Sequence, residues 1–439
     1  VTRLAPLLLI GLAVACSGPR PQAENVVLIT VDTLRADMLG PYGSDLPTPG
    51  FDALARDGVV VEGACTPTPS TGPAHASLFT GLHPWNHGIL LNATPLDPSL
   101  PSLTESVRAA GLDTAAFVAS FIVAARWGFD RGFGLFHFEP SRLWKWQGEP
   151  IGFYNEAGEI TDAALEWIEH HRERRFFVWL HYFDPHSPYG APQPFRRPAS
   201  EVIDLAGKEL PSKVESLAHL AGLIRAYRGE VAYVDAQMLR LTQKLSDLGL
   251  LERTTVVMTA DHGEGLGDHG WLGHGRNLHD ELVTVPLIVR GPGIPAGRRL
   301  RGAAQLEDLM PTLLSLLGQP IPDGLDGVDL APWLRGEVAE SPRDAVVGRR
   351  AGYPDMPALF FERRWPEKWI GPLDGAGDHY RLDADPREAV ARSGPPPELL
   401  RQRVAAGVGR AGEQVLDEEA RRALEALGYL GGDADGTVE

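Results

Sequence analysis

Three apolar, β-branched or aromatic runs constrain this chain more than any other feature, because each leads into a carboxylate. Residues 26–31 (VVLITV) stop at Asp32, residues 176–182 (FFVWLHY) lead through Phe183 to Asp184, and residues 256–260 (VVMTA) stop at Asp261-His262-Gly263. Runs without polar alternation suit parallel strands that are covered on both faces. Shorter strand-like pieces at 59–62, 114–118 and 283–289 alternate with helical periods at 160–170, 223–248 and 306–317. That alternation predicts an α/β fold, a doubly wound and mostly parallel sheet. Ligands of such sheets sit beyond the carboxyl ends of the strands, so the acid-bearing ends are expected to converge.

The chemistry of the third end is the most suggestive. Asp offers a hard oxygen and His a borderline nitrogen, a pair that suits zinc or manganese, with calcium or magnesium as further options. Gly263 is expected to permit the sharp bend that lets both reach one cation. A second signal lies at 66–81, where a proline-rich lead precedes Thr71-Gly-Pro-Ala-His75. Pro73 is expected at the first helical position, with Ser70 or Thr71 near the cap and Gly81 as the stop. A hydroxyl at a helix mouth faces unpaired N–H groups, a natural place for an anion. Thr48-Pro49 is expected to cap and open an earlier helix, and Ser102-Leu-Thr-Glu105 reads as a capping box.

Charge and cysteine usage narrow the field. The formal net charge is -17, so a nucleic-acid backbone is not an expected partner. An anionic substrate is still compatible, because a bound metal reverses the local field. Residues 1–16 (VTRLAPLLLIGLAVAC) place one cation before a short apolar run that ends in small residues and Cys16. This predicts a lipoprotein-type signal peptide over 1–16, a membrane anchor on Cys16 and a tether over 17–24. The expected location is the periplasm or cell surface, with attachment to an outer membrane. Cys65 is then the one remaining thiol, and no internal disulfide is expected. Residues 25–345 read as the catalytic domain. Residues 346–439 read as a small C-terminal subdomain with short strands at 358–361 and 369–370 and helices at 397–404 and 418–427.

Together these pieces resemble the sulfatase branch of the alkaline-phosphatase-like hydrolases. The matching segments are VDTLRADMLGPYG (31–43), TGPAHASLFTGLHPWNHG (71–88), HYFDPHSPY (181–189), TADHGEGLGDHG (259–270), TVPLIV (284–289), HYRLDADPREA (379–389) and EALGYLGG (425–432). The resemblance implies that Asp32, Asp261 and His262 hold a divalent cation together with a nucleophile. In sulfatases that nucleophile is a formylglycine made from Cys or Ser, followed by Pro and Arg at fixed offsets. The Ala-Ser-Leu-x-Thr-Gly frame puts Thr71 at that place. Cys65 lies six residues too early and lacks the Arg, so no formylglycine is expected.

The departures favour phosphorus over sulfur. Residues 115–123 lack the Lys and His that hold sulfate in sulfatases, Thr33 replaces a second metal-binding Asp, and His274 replaces a downstream Lys. His75 stands at the sulfatase Arg position and is expected to reach the substrate oxyanion. His186, in its Pro-His-x-Pro setting, is the expected general acid. His274 and Asn92 are expected to bind substrate, and Asp184, His186 and His274 are a candidate second metal site. The reading is a metal-dependent hydrolase that cleaves phosphate or phosphonate esters, on a small-molecule, glycan or lipid substrate, through an unmodified Thr71. The alternatives are a sulfuric ester hydrolase in the strict sense, a phosphoethanolamine-type transferase and a non-catalytic glycan-binding surface lipoprotein. His83, His87, Asp268 and His269 are expected to brace loops. Trp127, Phe129, Phe133 and Trp144–Trp146 are expected in the core or at its rim.

Overall fold

The computed structural model describes residues 22–146, 149–196, 217–352 and 356–407. The signal peptide, Cys16, most of the proline-rich 190–215 segment, the 418–427 helix and the 425–432 motif lie outside the described residues.

An eight-stranded sheet forms the centre. Its strands are β1 (Asn25–Val31), β2 (Val59–Val61), β3 (Asp113–Val118), β4 (Leu135–His137), β5 (Phe176–Tyr182), β6 (Thr254–Ala260), β7 (Leu287–Arg290) and β8 (Arg298–Leu300). The spatial order is β8-β2-β7-β6-β1-β5-β3-β4. Every neighbouring pair is parallel except the two that β7 makes with β6 and β2. β1, β5 and β6 are buried at every position, as their unbroken apolar runs require. The strand expected over 283–289 begins only at Leu287. Pro286 cannot donate to a ladder, and Asp280–Val283 instead forms a helical turn.

Helices cover both faces: α1 (Pro49–Arg56), α2 (Thr71–Thr80), α3 (Leu103–Ala109), α4 (Ala157–His170), α5 (Leu217–Asp247) and α6 (Leu309–Leu316). α2 is buried all round, from Thr71 to Thr80. Its small residues permit this, since a wholly enclosed helix must be accommodated on every side. It starts two residues before Pro73, with Ser70 as its cap residue and Gly81 left-handed at φ 69° as its stop. Asn92 Oδ1 takes the Gly72 N–H at 2.7 Å.

The α1 cap differs from expectation in an informative way. Thr48 makes no cap bond; its hydroxyl accepts the Gly40 N–H at 2.9 Å. The N–H groups of Gly50 and Phe51 go to Asp235 on α5 (3.1 and 2.8 Å), so a distant carboxylate caps α1. Ser102 does cap α3, through the Glu105 N–H at 3.2 Å.

A separate five-stranded antiparallel sheet follows, made of β9 (Val346–Arg350), β10 (Leu359–Arg364), β11 (Glu367–Gly371), β12 (Gly377–Arg381) and β13 (Arg392–Gly394) in sequence order. The helix α7 (Glu398–Ala406) packs Leu400 against Trp369, Val347 and Phe360. This sheet is tied to the main domain by buried polar bonds. Pro67 O accepts the Arg349 N–H at 2.8 Å, and Arg343 binds Asp308 and Gln305.

Candidate active site

Strand register assembles the site. Val31 of β1 pairs with Tyr182 of β5 and with Ala260 of β6, so Asp32 and Asp261 stand side by side one residue past the paired ends. One step earlier, Thr30 lies opposite His181. Side chains two apart on a strand share a face. Thr30 and Asp32 therefore line one face together with His181 and Trp179, and α2 lies over that face with Thr71 and His75.

The chain bends at Thr33, a β-branched residue held at φ 56°. That conformation costs on the order of 1–3 kcal/mol and persists where surrounding bonds fix it. Here the Thr33 N–H donates to Asp261 Oδ1 at 3.1 Å, and Tyr227 Oη donates to Thr33 O at 2.7 Å. Gly263 is needed for space rather than for a left-handed turn. A Cβ there would sit 1.9 Å from the Glu281 carbonyl oxygen.

Asp32, Asp261 and His262 each place one ligand atom within 4.8 Å of the other two. His262 Nε2 is 3.5 Å from Asp261 Oδ2 and 3.9 Å from Asp32 Oδ1. His262 Nδ1 donates to Gly263 O at 2.9 Å, which leaves Nε2 with its lone pair toward the carboxylates. Thr71 Oγ1 is 3.3 Å from that same Nε2. Asp32 Oδ1 and Asp261 Oδ2 are buried and have no hydrogen-bond partner. Burial first, then the two neighbouring carboxylates, push the Asp32 pKa well up; burial raises Asp261 to about 6. Leaving such charges buried and uncompensated costs several kcal/mol each. Two orphaned carboxylate oxygens, one bare imidazole nitrogen and a hydroxyl are the donors a divalent cation needs.

The other expected site residues divide into two groups. His274 lies beside His262, tilted by 40° with ring centroids 4.4 Å apart, and His186 meets His274 edge-on at 5.1 Å. His274 Nδ1 meets Glu264 Oε1 at 3.0 Å, and His186 Nδ1 meets Ser187 O at 2.6 Å. Burial lowers the pKa of His186 to about 3 and that of His274 to about 4. Asn92, having given Oδ1 to Gly72, keeps a buried and unpartnered Nδ2.

Asp184 and His75 are placed otherwise than expected. Asp184 Oδ2 accepts the Ala157 N–H at 2.8 Å, capping α4, and among the described residues Asp184, His186 and His274 do not form a group with ligand-like spacing. Both nitrogens of His75 are engaged inside the fold, Nδ1 on Thr71 O at 2.8 Å and Nε2 on Thr30 Oγ1 at 3.0 Å. His75 thus positions Thr71 and has no nitrogen left for a substrate oxyanion.

His181 and Thr30 were missed in the sequence because a His and a Thr inside apolar runs read as core. Their signal was positional, since Thr30 precedes Asp32 by one pleat.

The bracing residues do act as braces. His83 contacts Glu307 at 3.2 Å, and His87 bonds Ser77 at 2.9 Å. Asp268 pairs with Arg35 at 2.5 Å. Trp127, Phe129 and Phe133 belong to the core. His269, His279 and Glu388 form another group with ligand-like spacing. Both His269 nitrogens face acceptors, Glu281 Oε1 and Glu388 O, so it is an imidazolium without a lone pair. A cleft of about 670 Å³ opens beside it, lined by Arg35, Asp268, Glu281 and Arg387. The hydroxyl that lines that cleft, Thr284, accepts a bond from Arg363 at 2.8 Å, whereas Thr71 lies in the buried cluster.

Fold and site together define an α/β ester hydrolase, with the Asp32, Asp261, His262 and Thr71 cluster at the carboxyl edge of its mostly parallel sheet. The family profile described as Sulfatase matches residues 24–319, and the chain belongs to that family. The chain is 28% identical over 398 residues to the multifunctional alkaline phosphatase superfamily protein PehA of Trinickia caryophylli, covering 71% of this chain and 77% of that one. It is 27% identical over 363 residues to an ulvan-active sulfatase of Formosa agariphila, covering 77% and 71%. Among solved structures, the phosphonate monoester hydrolase of Agrobacterium radiobacter superposes with a TM-score of 0.72 at 25% identity, over 85% of this chain and 91% of that one.

Proposed function

We propose that this hydrolase cleaves phosphate or phosphonate esters through the hydroxyl of Thr71. The observation that carries the reading is the position of Thr71 Oγ1 at the mouth of α2, 3.3 Å from His262 Nε2 and beside the orphaned oxygens of Asp32 and Asp261. Cys65, the rival precursor for an aldehyde, is buried among Leu278, Leu282, Val346 and Phe361, and burial pushes its thiol to about 11. The similarity to a phosphonate monoester hydrolase and to PehA supports phosphorus chemistry, whereas the ulvan-active relative keeps the sulfate ester reading as the alternative.

Asp32, Asp261, His262 and Thr71 would hold the cation, zinc or manganese by their mixed oxygen and nitrogen donors. When bound, it lowers the pKa of the Thr71 hydroxyl and offsets charge on the phosphoryl oxygens. Thr71 Oγ then attacks phosphorus as the bond to the leaving oxygen breaks. The unpartnered Asn92 Nδ2 and the N-terminal end of α2 would hold the equatorial oxygens. His186 and His274, which lie beside His262, would face the leaving group. His186 carries its proton on Nδ1, so it must gain a second one to serve as the acid, and a bound anion favours that. Water then attacks the phosphorus of the phosphoryl-threonine, and Thr71 Oγ leaves.

The test is turnover of matched aryl phosphate monoester, phosphodiester, phosphonate and sulfate substrates, with each divalent metal added in turn and Thr71→Ala as the control. Turnover of phosphorus esters that is lost in Thr71→Ala supports the reading. Preferential turnover of sulfate, or full activity in Thr71→Ala, sinks it.

A further inference from the structure

Arginine carries five N–H donors in a rigid fork, and Arg35 uses all of them inside the protein. Nε and Nη2 grip Asp37 at 2.9 and 2.7 Å. Nη1 donates to Asp268 Oδ2 at 2.5 Å and to Glu264 O at 3.1 Å, and Nη2 reaches Asp268 Oδ1 at 3.5 Å. The residue is 6% exposed. Its backbone is fixed as well: the Arg35 N–H donates to Tyr227 Oη at 2.9 Å, the same hydroxyl that holds Thr33. One guanidinium on the loop after β1 therefore binds two points of the loop after β6.

Those two points are the base and the tip of a small hairpin. Gly265 and Leu266 pair antiparallel with Gly273 and Leu272. The tip turns on left-handed Gly267 and Gly270 and on His269, held at φ 51°. Glu264 enters the hairpin and His274 leaves it. Glu264 Oε1 meets His274 Nδ1 at 3.0 Å across the open end, and the His274 ring centre lies 4.4 Å from that of His262. Leu266 and Leu272 are buried, but Asp268, His269 and Gly270 are exposed, and the 670 Å³ cleft opens along Arg35 and the tip. His269 anchors that tip outward, on Glu281 and Glu388. Arg35 anchors it toward the site.

We infer that Arg35 is a positioning residue of the reaction: by gripping the hairpin 265–273 at its base and its tip, it holds His274 against His262, facing the leaving group. This rests on the phosphoester reading for its chemistry and goes beyond it in naming what sets the geometry there. A group that supports the leaving oxygen counts more when that oxygen must take more charge. Loosening the grip therefore penalises poor leaving groups most. Lysine, a point charge with three donors, cannot bridge two carboxylates and a carbonyl as the planar fork does.

Kinetics of metal-loaded wild type, Arg35→Lys and Asp268→Asn on phenyl and dinitrophenyl phosphate test this, together with hydrogen exchange of the same proteins. In both variants kcat on phenyl phosphate is expected to fall about 100-fold, the scale of a small misplacement, and on dinitrophenyl phosphate by less than about 10-fold. The amides of 265–273 are expected to exchange faster, with bound metal unchanged. Arg343→Ala, which weakens the fold elsewhere, is expected to keep the wild-type ratio of the two substrates. The Asp268 side chain is 40% exposed, so its variant serves where Arg35→Lys does not fold. Equal losses on both substrates, loss of the metal, or unchanged exchange in the variants overturns the inference. If wild type cleaves no phosphorus ester, or prefers sulfate, the phosphoester reading falls. Unchanged exchange, or equal losses on the matching sulfate esters, then still decides against Arg35.

Discussion

At the scale of single residues, the site depends on side chains that never meet substrate. Thr30 joins Trp179, His75 and His181 by one hydroxyl. Thr30→Val keeps the shape and removes that junction, leaving a buried indole N–H unpaired. It is expected to cost about 1–3 kcal/mol in urea unfolding and to lower activity without any contact to the reacting atoms. Thr71→Ala removes the proposed nucleophile and is expected to lower kcat at least about 1,000-fold, with a melting temperature near that of wild type. Asp32, Asp261 and His262 stood out in the sequence because each follows an apolar run, while Thr71 was singled out over Ser70 only through the Ala-Ser-Leu-x-Thr-Gly frame of the family the chain resembles. The use of His75 could not. Its position marked it as functional, but only the structure shows that Thr71 O and Thr30 occupy both its nitrogens.

At the scale of elements, the loop after β6 is held closed against the C-terminal sheet. His269 stacks on His279 at 3.6 Å and bonds Glu281, while Lys368 reaches Asp280 and Glu388, both at 2.7 Å. The hydrogen bond to Glu281 raises the His269 pKa from 6.5 to about 9. A raised histidine contributes stability fully below its unfolded pKa and loses it as pH rises through the folded one. The stability difference between wild type and His269→Gln is therefore expected to be greatest at pH 6 and to shrink through pH 9, read from melting curves. A difference that grows with pH would contradict this pairing. Gly263→Ala drives a Cβ to 1.9 Å from Glu281 O, and it is expected to lower soluble yield and metal content together. The carboxyl ends of β1, β5 and β6 were legible to within a residue because their runs are apolar there, although β6 begins two residues before its apolar run, at Thr254. The start of β7 was not, since Pro286 and the turn before it lie inside an equally apolar stretch. The α1 cap was hidden for a different reason: Asp235 is far away in sequence.

At the scale of the whole molecule, the described residues contain no helix long and apolar enough to cross a membrane. The proposed attachment is the lipid on Cys16. Cys16→Ala is expected to move the protein from the membrane fraction to the soluble one, checked by fractionation and by labelling with a radioactive fatty acid. The two sheets are joined by a buried guanidinium. Arg343 contacts Asp308, Glu307 and Gln305; burial works against its charge, and the Asp308 and Glu307 carboxylates outweigh burial and keep it charged. Arg343→Ala strands those carboxylates and is expected to cost about 3–5 kcal/mol, read as a lower urea midpoint. The fold was readable at this scale because strands and helices alternate in order along the chain. The substrate was not readable, because pocket walls are set by loop contacts that leave no periodic trace.

The central claim is that Thr71 carries the phosphoryl group during turnover. Acid quenching of the metal-loaded enzyme within the first turnover of an aryl phosphate, followed by peptide mass spectrometry, tests it directly. One phosphoryl group on Thr71, absent from Thr71→Ala and lost on longer incubation with water, is the predicted result. Turnover with an unmodified Thr71, or a phosphoryl group on Ser70 instead, would contradict the account.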